Sequence, residues 1–143
     1  MRKLLLLILL CTLLSACNKQ QIYSEFHSIN QQGWHADSLM GYTIDISDST
    51  AQYEVLITLR HTTQYPYQNL WLFVNSYSPD SIPLRDTVEC YLSNNKGEWL
   101  GKGIGDNLSM QVLYLQKIRF PKYGNYHFEI SHAMRDETLV GIE

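Results

Sequence analysis

The sequence predicts an all-β protein: one antiparallel β-sandwich, jelly-roll or immunoglobulin-like, with about seven or eight short strands. Three observations carry this reading. Apolar and polar residues alternate with period two in run after run, which places one apolar face on each strand. Turn-forming residues separate the runs at short, regular intervals. No long stretch keeps the 3.6-residue period of an amphipathic helix.

In chain order, Ile22–Ile29 carries a weak strand signal. Tyr42, Ile44 and Ile46 then share one face of a strand, with Thr43 and Asp45 on the other. Tyr53, Val55, Ile57 and Leu59 line the next, opposite Glu54, Leu56, Thr58 and Arg60. The run Leu70-Trp71-Leu72-Phe73-Val74 is apolar on both faces, as in a central strand covered on both sides, so Trp71 reads as core. Val88, Cys90 and Leu92 alternate with Thr87, Glu89 and Tyr91, which points Cys90 inward as a buried, inert thiol. Residues 112–120 hold Val112, Tyr114, Ile118 and Phe120, and Tyr126, Phe128 and Ile130 alternate with His127, Glu129 and Ser131. Only His132–Leu139 has a helical signal, enough for one turn. The turns fall at Gln32-Gly33, Asp48-Ser49, Tyr65-Pro66, Ser78-Pro79-Asp80, Asn94-Asn95-Lys96-Gly97 and Pro121–Asn125.

The N-terminus is an address and an anchor. Arg2 and Lys3 precede the apolar run LLLLILLCTLL of residues 4–14, and Ser15 and Ala16 are the small residues before a cleavage point. The run is about half the ~20 residues that span a bilayer as a helix. Leu14-Ser15-Ala16-Cys17 resembles the bacterial lipobox at each position. That resemblance implies cleavage before Cys17, a diacylglycerol on its thiol and an acylated amino group. Two or more acyl chains anchor stably where one is marginal. The domain reading is a signal peptide over 1–16, the lipidated cysteine and a polar tether over 17–21, and a single β-domain over 22–143. Asn18 is not the aspartate of inner-membrane retention, and the tether lacks the acidic residues of surface export. The expected location is therefore the outer membrane, facing the periplasm.

Removing the leader changes the composition. Of the 143 residues, 45% are apolar; without residues 1–16 the figure is roughly 41%, ordinary for a soluble domain. Lys+Arg drops from 11 to 9 while Asp+Glu stays at 14, so the net charge moves from −3 to −5. Such a body is a poor nucleic-acid binder, because that binding rests on neutralising phosphates. With Cys11 in the leader and Cys17 as anchor, Cys90 stands alone, which excludes an internal disulfide framework.

Catalytic patterns are weak. Gly101-Lys102-Gly103-Ile104-Gly105-Asp106 matches neither phosphate-binding glycine motif, and reads as a tight β-connection. His27, His35, His61, His127 and His132 have no metal-ligand spacing, and there is no GxSxG nucleophile elbow. Arg60, Arg85, Arg119 and Arg135 with Asp86, Glu89 and Asp136 read as solvated or edge-pairing charges. No enzyme, metal or cofactor is expected beyond the lipid on Cys17. The aromatic residues are the stronger clue. Trp34, Tyr65, Tyr67 and Trp99 fall at strand ends, where they cap the core or form a surface that docks a protein or stacks on sugar. With His35 they are the candidate docking or ligand surface.

Several blocks carry a family resemblance. They are Gly33-Trp34-His35 followed by Asp37-Ser38, and His61-Thr62-Thr63-Gln64-Tyr65-Pro66-Tyr67-Gln68-Asn69-Leu70-Trp71-Leu72-Phe73. Arg85-Asp86-Thr87-Val88-Glu89-Cys90, Gly97-Glu98-Trp99-Leu100-Gly101-Lys102-Gly103-Ile104-Gly105-Asp106, Arg119-Phe120-Pro121 and Ala133-Met134-Arg135-Asp136 follow in order. Together, behind a lipobox, they resemble the GldH-type gliding motility lipoproteins of Bacteroidetes. The resemblance implies an envelope lipoprotein needed for gliding over surfaces and linked to type IX secretion, with partners in that apparatus. It supplies no catalytic residue and no ligand. The family pattern runs on past Gly141-Ile142 into a further strand, so an edge strand is expected to be missing near Glu143. A glycan-binding module on the envelope is the alternative function.

Overall fold

The computed structural model describes residues 21–80 and 82–143. The leader, the lipobox and Cys17 lie outside the described residues. Among the described residues nine strands form: β1 (Trp34–His35), β2 (Met40–Ile46), β3 (Tyr53–Thr62), β4 (Asn69–Tyr77), β5 (Pro83–Tyr91), β6 (Lys102–Ile104), β7 (Asn107–Ile118), β8 (Gly124–His132) and β9 (Thr138–Leu139). A four-stranded sheet runs β2-β8-β4-β5 and a three-stranded sheet β3-β7-β6, while β1 and β9 make a small third sheet. Every pairing is antiparallel. Among the described residues no helix is long and apolar enough to cross a membrane.

The period-two reading survives strand by strand. Leu70, Leu72 and Val74 of β4 are buried, as are Cys90 of β5, opposite Leu70, and Tyr126 and Phe128 at the same parity of β8. Burial pushes the Cys90 thiol up to about 11, so it stays protonated. From the other sheet Leu59 and His61 meet this face. The densest core sits at one end of the sandwich, where β1 and β9 fold over and Ile142 bridges to His61. Two glycines make that closure possible. Gly33 (φ +109°) lies so close to β9 that a Cβ would sit 2.5 Å from the Leu139 carbonyl oxygen. At Gly141 (φ +82°) a Cβ would sit 2.9 Å from the Tyr65 nitrogen.

Four expectations are corrected. Ile22–Ile29 joins no sheet; it runs as a strap whose His27 Nε2 lies 2.9 Å from the Gly41 carbonyl oxygen. The glycine-rich stretch contains a strand, β6, hairpinned to β7. His132–Leu139 forms no helical turn: His132 ends β8 and Thr138–Leu139 is β9. Trp71 is not core. Its side of β4 faces outward, and it is 36% exposed.

Candidate functional site

The sequence-derived aromatic set divides on folding. Trp34 is 3% exposed; its Nε1 donates to the Ser38 carbonyl at 3.0 Å and its ring meets His132 edge-on at 5.6 Å. Tyr65 is 2% exposed, and its hydroxyl donates to the Asn69 carbonyl at 3.0 Å. Burial pushes that phenol well above its ordinary value. These two are therefore core residues and not part of an exposed rim: each polar tip finds a backbone carbonyl nearby, so the whole ring can be buried. Trp99 is half-buried over His61, with ring centroids 4.8 Å apart. His35 is half-buried, its Nε2 3.3 Å from Glu137 and its Nδ1 3.9 Å from Asp37. Tyr67 alone of the four aromatics is exposed.

Tyr67 stands at the edge of a larger patch on the outer face of the four-stranded sheet. β4 places Asn69 and Trp71 on that face because Leu70 and Leu72 take the inner one. The register sets Tyr91 opposite Asn69 and Glu89 opposite Trp71. Glu89 organises the group: one carboxylate oxygen accepts from Asn69 Nδ2 at 2.6 Å, the other from the Tyr91 hydroxyl at 2.8 Å. Across β4, Asp136 accepts from the Tyr67 hydroxyl at 2.6 Å, and the Met134 sulfur lies 3.4 Å from the Trp71 backbone nitrogen. The carboxylates beside Tyr67 and Tyr91 raise both phenols, so they remain neutral donors. Further along, the Arg85 guanidinium stacks 4.1 Å over the Phe73 ring.

Trp71, Tyr91 and Tyr67 are thus held by backbone pairing and charge-assisted hydrogen bonds, with apolar faces open to solvent. The two tyrosines, whose hydroxyls are held, lose little side-chain entropy on contact, which suits them to frame an anchor such as Trp71. Sequence reasoning missed Trp71 and Tyr91, although Asn69 and Asn75 at the same parity of β4 mark that face as wet. Among the described residues no group of three His, Cys, Asp or Glu is arranged to hold a metal ion.

His132, beneath the patch, carries a pH dependence. Burial lowers its pKa from 6.5; nearby His35 lowers it further, while Asp136 and the Trp34 and Glu137 backbones act the other way. Above about pH 6.5 the imidazole is neutral folded or unfolded, and its full contribution is present. As pH falls below that value the unfolded chain takes up the proton first, so stability drops until the depressed folded pKa is passed. Each unit of depression corresponds to about 1.4 kcal/mol. The melting temperature should fall between about pH 7.5 and 5.5, and His132→Gln should flatten that slope. An unchanged slope in the variant would assign it to another group.

Comparison with known proteins places the chain. No solved structure matches it. It is 37% identical over 123 residues to the "Gliding motility lipoprotein GldH homolog" of Christiangramia forsetii, covering 86% of this chain and 75% of that protein. It is 30% identical over 139 residues to the "Gliding motility lipoprotein GldH" of Flavobacterium johnsoniae, covering 96% of this chain and 86% of the relative. The model of the family described as GldH lipoprotein matches residues 21–143, and the chain belongs to that family.

Proposed function

We propose that this chain is a non-catalytic accessory lipoprotein of a gliding motility apparatus coupled to type IX secretion. Lipid on Cys17 holds it in the outer membrane facing the periplasm, and residues 18–21 act as tether. The single observation that carries the docking role is the patch of Tyr67, Trp71 and Tyr91, all exposed, with both phenols held by carboxylates. Its two carboxylates, Glu89 and Asp136, already accept hydrogen bonds from neighbours, which suits a rigid contact surface better than proton transfer. The relatives' names supply the gliding context.

Cys17→Ala should abolish palmitate labelling and release the protein from membranes, and cross-linking in intact envelopes should capture specific proteins only with the anchored form. Retained labelling would refute the anchor; an envelope in which the anchored chain cross-links to nothing would refute the accessory role. A second reading, glycan binding, is favoured by the setting of Trp71, an open indole flanked by the amide of Asn69 and the carboxylate of Glu89. Saturable signal on a glycan array would select it.

A further inference from the structure

β5 is the last strand of the four-stranded sheet, and among the described residues nothing pairs with its outer edge. Which residues face that edge follows from β4. The Trp71 carbonyl accepts from Ala133 N–H at 2.7 Å, and the Trp71 nitrogen lies beside the Met134 sulfur. The main-chain groups of Trp71 therefore point towards β8 and away from β5. These groups alternate sides along an antiparallel strand. Leu70, Leu72 and Val74 thus turn theirs to β5, where Cys90, Val88 and Asp86 meet them in register. The bond from Leu92 N–H to the Gln68 carbonyl, at 2.8 Å, keeps the same parity. Arg85, Thr87 and Glu89 are left with N–H and C=O aimed off the sheet. Among the described residues no backbone bond outside the sheets reaches them.

The edge lacks the usual guards. Exposed edges are ordinarily blunted by lysine, a bulge or an inward charge. β5 has no lysine and keeps its register with β4 from Pro83 to Tyr91 without a shift. Its inward charge, Asp86, is taken up by the Tyr114 hydroxyl of β7. Leu84 and Tyr91, near its two ends, are 65% and 59% exposed. The C-terminal residues are engaged elsewhere, since Gly141–Glu143 pairs with β3 of the other sheet.

Side-chain order along this edge is self-complementary. Thr87 stands opposite Phe73, so Arg85, Thr87 and Glu89 share the outer face. The Arg85 guanidinium lies over the Phe73 ring and, among the described residues, pairs with no carboxylate. Glu89 accepts one bond on each oxygen, from Asn69 and Tyr91, and a carboxylate has about four acceptor sites. Suppose the strand is laid antiparallel on that of a second copy, with Thr87 at the two-fold axis. Arg85 then faces Glu89 of the second copy, Glu89 faces its Arg85, and the two threonines face each other. These are the same residues whose main-chain groups point outward, so the charge pairs fall on a ladder of roughly six N–H···O bonds. Leu84 comes opposite Cys90 of the second copy. Tyr91 comes opposite its Pro83, which has no N–H and ends the ladder.

We propose that β5 is a homodimerisation edge: two copies of this chain join their four-stranded sheets through antiparallel β5 strands, with Thr87 at the two-fold axis. Any strand could satisfy the bare backbone. The opposed charges of Arg85 and Glu89, equally far from Thr87, select a second copy. The axis stands normal to the sheet and keeps both outer faces on one side, which makes one surface of the two aromatic patches. The proposal does not rest on the docking role of those patches.

The test uses the full chain in dodecyl maltoside micelles, followed by sedimentation over about a hundred-fold range of concentration. A monomer–dimer equilibrium is expected, with exchange of the Thr87 amide slowed at least about ten-fold as dimer forms. Arg85→Glu sets like charges opposite each other twice and should weaken dimerisation at least about ten-fold; adding Glu89→Arg should restore most of it. Thr87→Pro removes two ladder donors and should give a monomer. Its melting temperature should stay near the parent's, because that N–H faces solvent in the single chain. If proline unfolds the strand, the charge variants, which leave the backbone untouched, decide the case. A chain that stays monomeric throughout overturns the proposal. A dimer that folded Thr87→Pro leaves intact overturns it too, as does equal weakening in the single and double charge variants.

Discussion

Tyr65→Ala should lower stability by about 3–5 kcal/mol, whereas Tyr67→Ala, two residues on, should stay within about 1 kcal/mol of the parent. The two side chains leave one turn and touch edge-on, one buried and the other at the surface. Tyr65 is 2% exposed, packs 6.3 Å from the His61 ring, and satisfies the Asn69 carbonyl with its hydroxyl. Its ring belongs to the buried apolar cluster, so its loss opens a cavity there. Tyr67 gives up one exposed bond to Asp136 and an edge contact with Tyr65 at 5.7 Å. Tyr65→Phe separates the hydroxyl from the ring and should cost about 1 kcal/mol. Chemical denaturation of the three variants checks the pattern. If Tyr65→Ala loses no more than Tyr67→Ala, the ring is not core.

That pair also marks how far the sequence could be read. Inner faces were legible wherever alternation was clean: Tyr42, Ile44 and Ile46 on β2, and Tyr126 and Phe128 on β8, point inward as the pattern requires. Alternation reports the polarity of a side chain's neighbours along one strand, and nothing about what lies over a face. For β4 the apolar run suggested cover on both sides, but among the described residues no second sheet lies over the outer face; Trp71 and Phe73 stand among Asn69, Glu89, Thr87 and Arg85 from the same strand and its neighbour. The cross-strand register, which a single sequence leaves open, was the missing information. Trp34 and Tyr65 went astray for a different reason. Whether an aromatic at a strand end is buried depends on distant chain, here His132 against Trp34 and His61 against Tyr65. The weak strand over Ile22–Ile29 lacked a partner edge, and the strap instead ties to β2 through the side chain of His27.

Trp71→Thr should abolish capture of the envelope partner while leaving the fold intact. Threonine keeps the β-branched preference of a strand position, and the backbone bond from Ala133 N–H to the Trp71 carbonyl survives the change. What disappears is the indole at the centre of the patch, between Tyr91 and the Met134–Asp136 loop. A tryptophan anchor at the middle of an interface typically contributes about 2 kcal/mol or more, so capture should drop at least about thirty-fold. Tyr91→Ala and Tyr67→Ala, nearer the rim, should each weaken capture less, because a peripheral contact remains partly solvated. Ile104→Thr is the control. It removes the most exposed large apolar side chain, 93% accessible, from the opposite sheet, and should change nothing. Exposure by itself predicts the reverse order, with Ile104 dominant and Trp71 minor. Equal loss in both variants would mean that diffuse hydrophobicity holds the partner; loss confined to Trp71 would mean that the indole's place beside Tyr91 and the Met134–Asp136 loop, rather than its exposure, makes the contact.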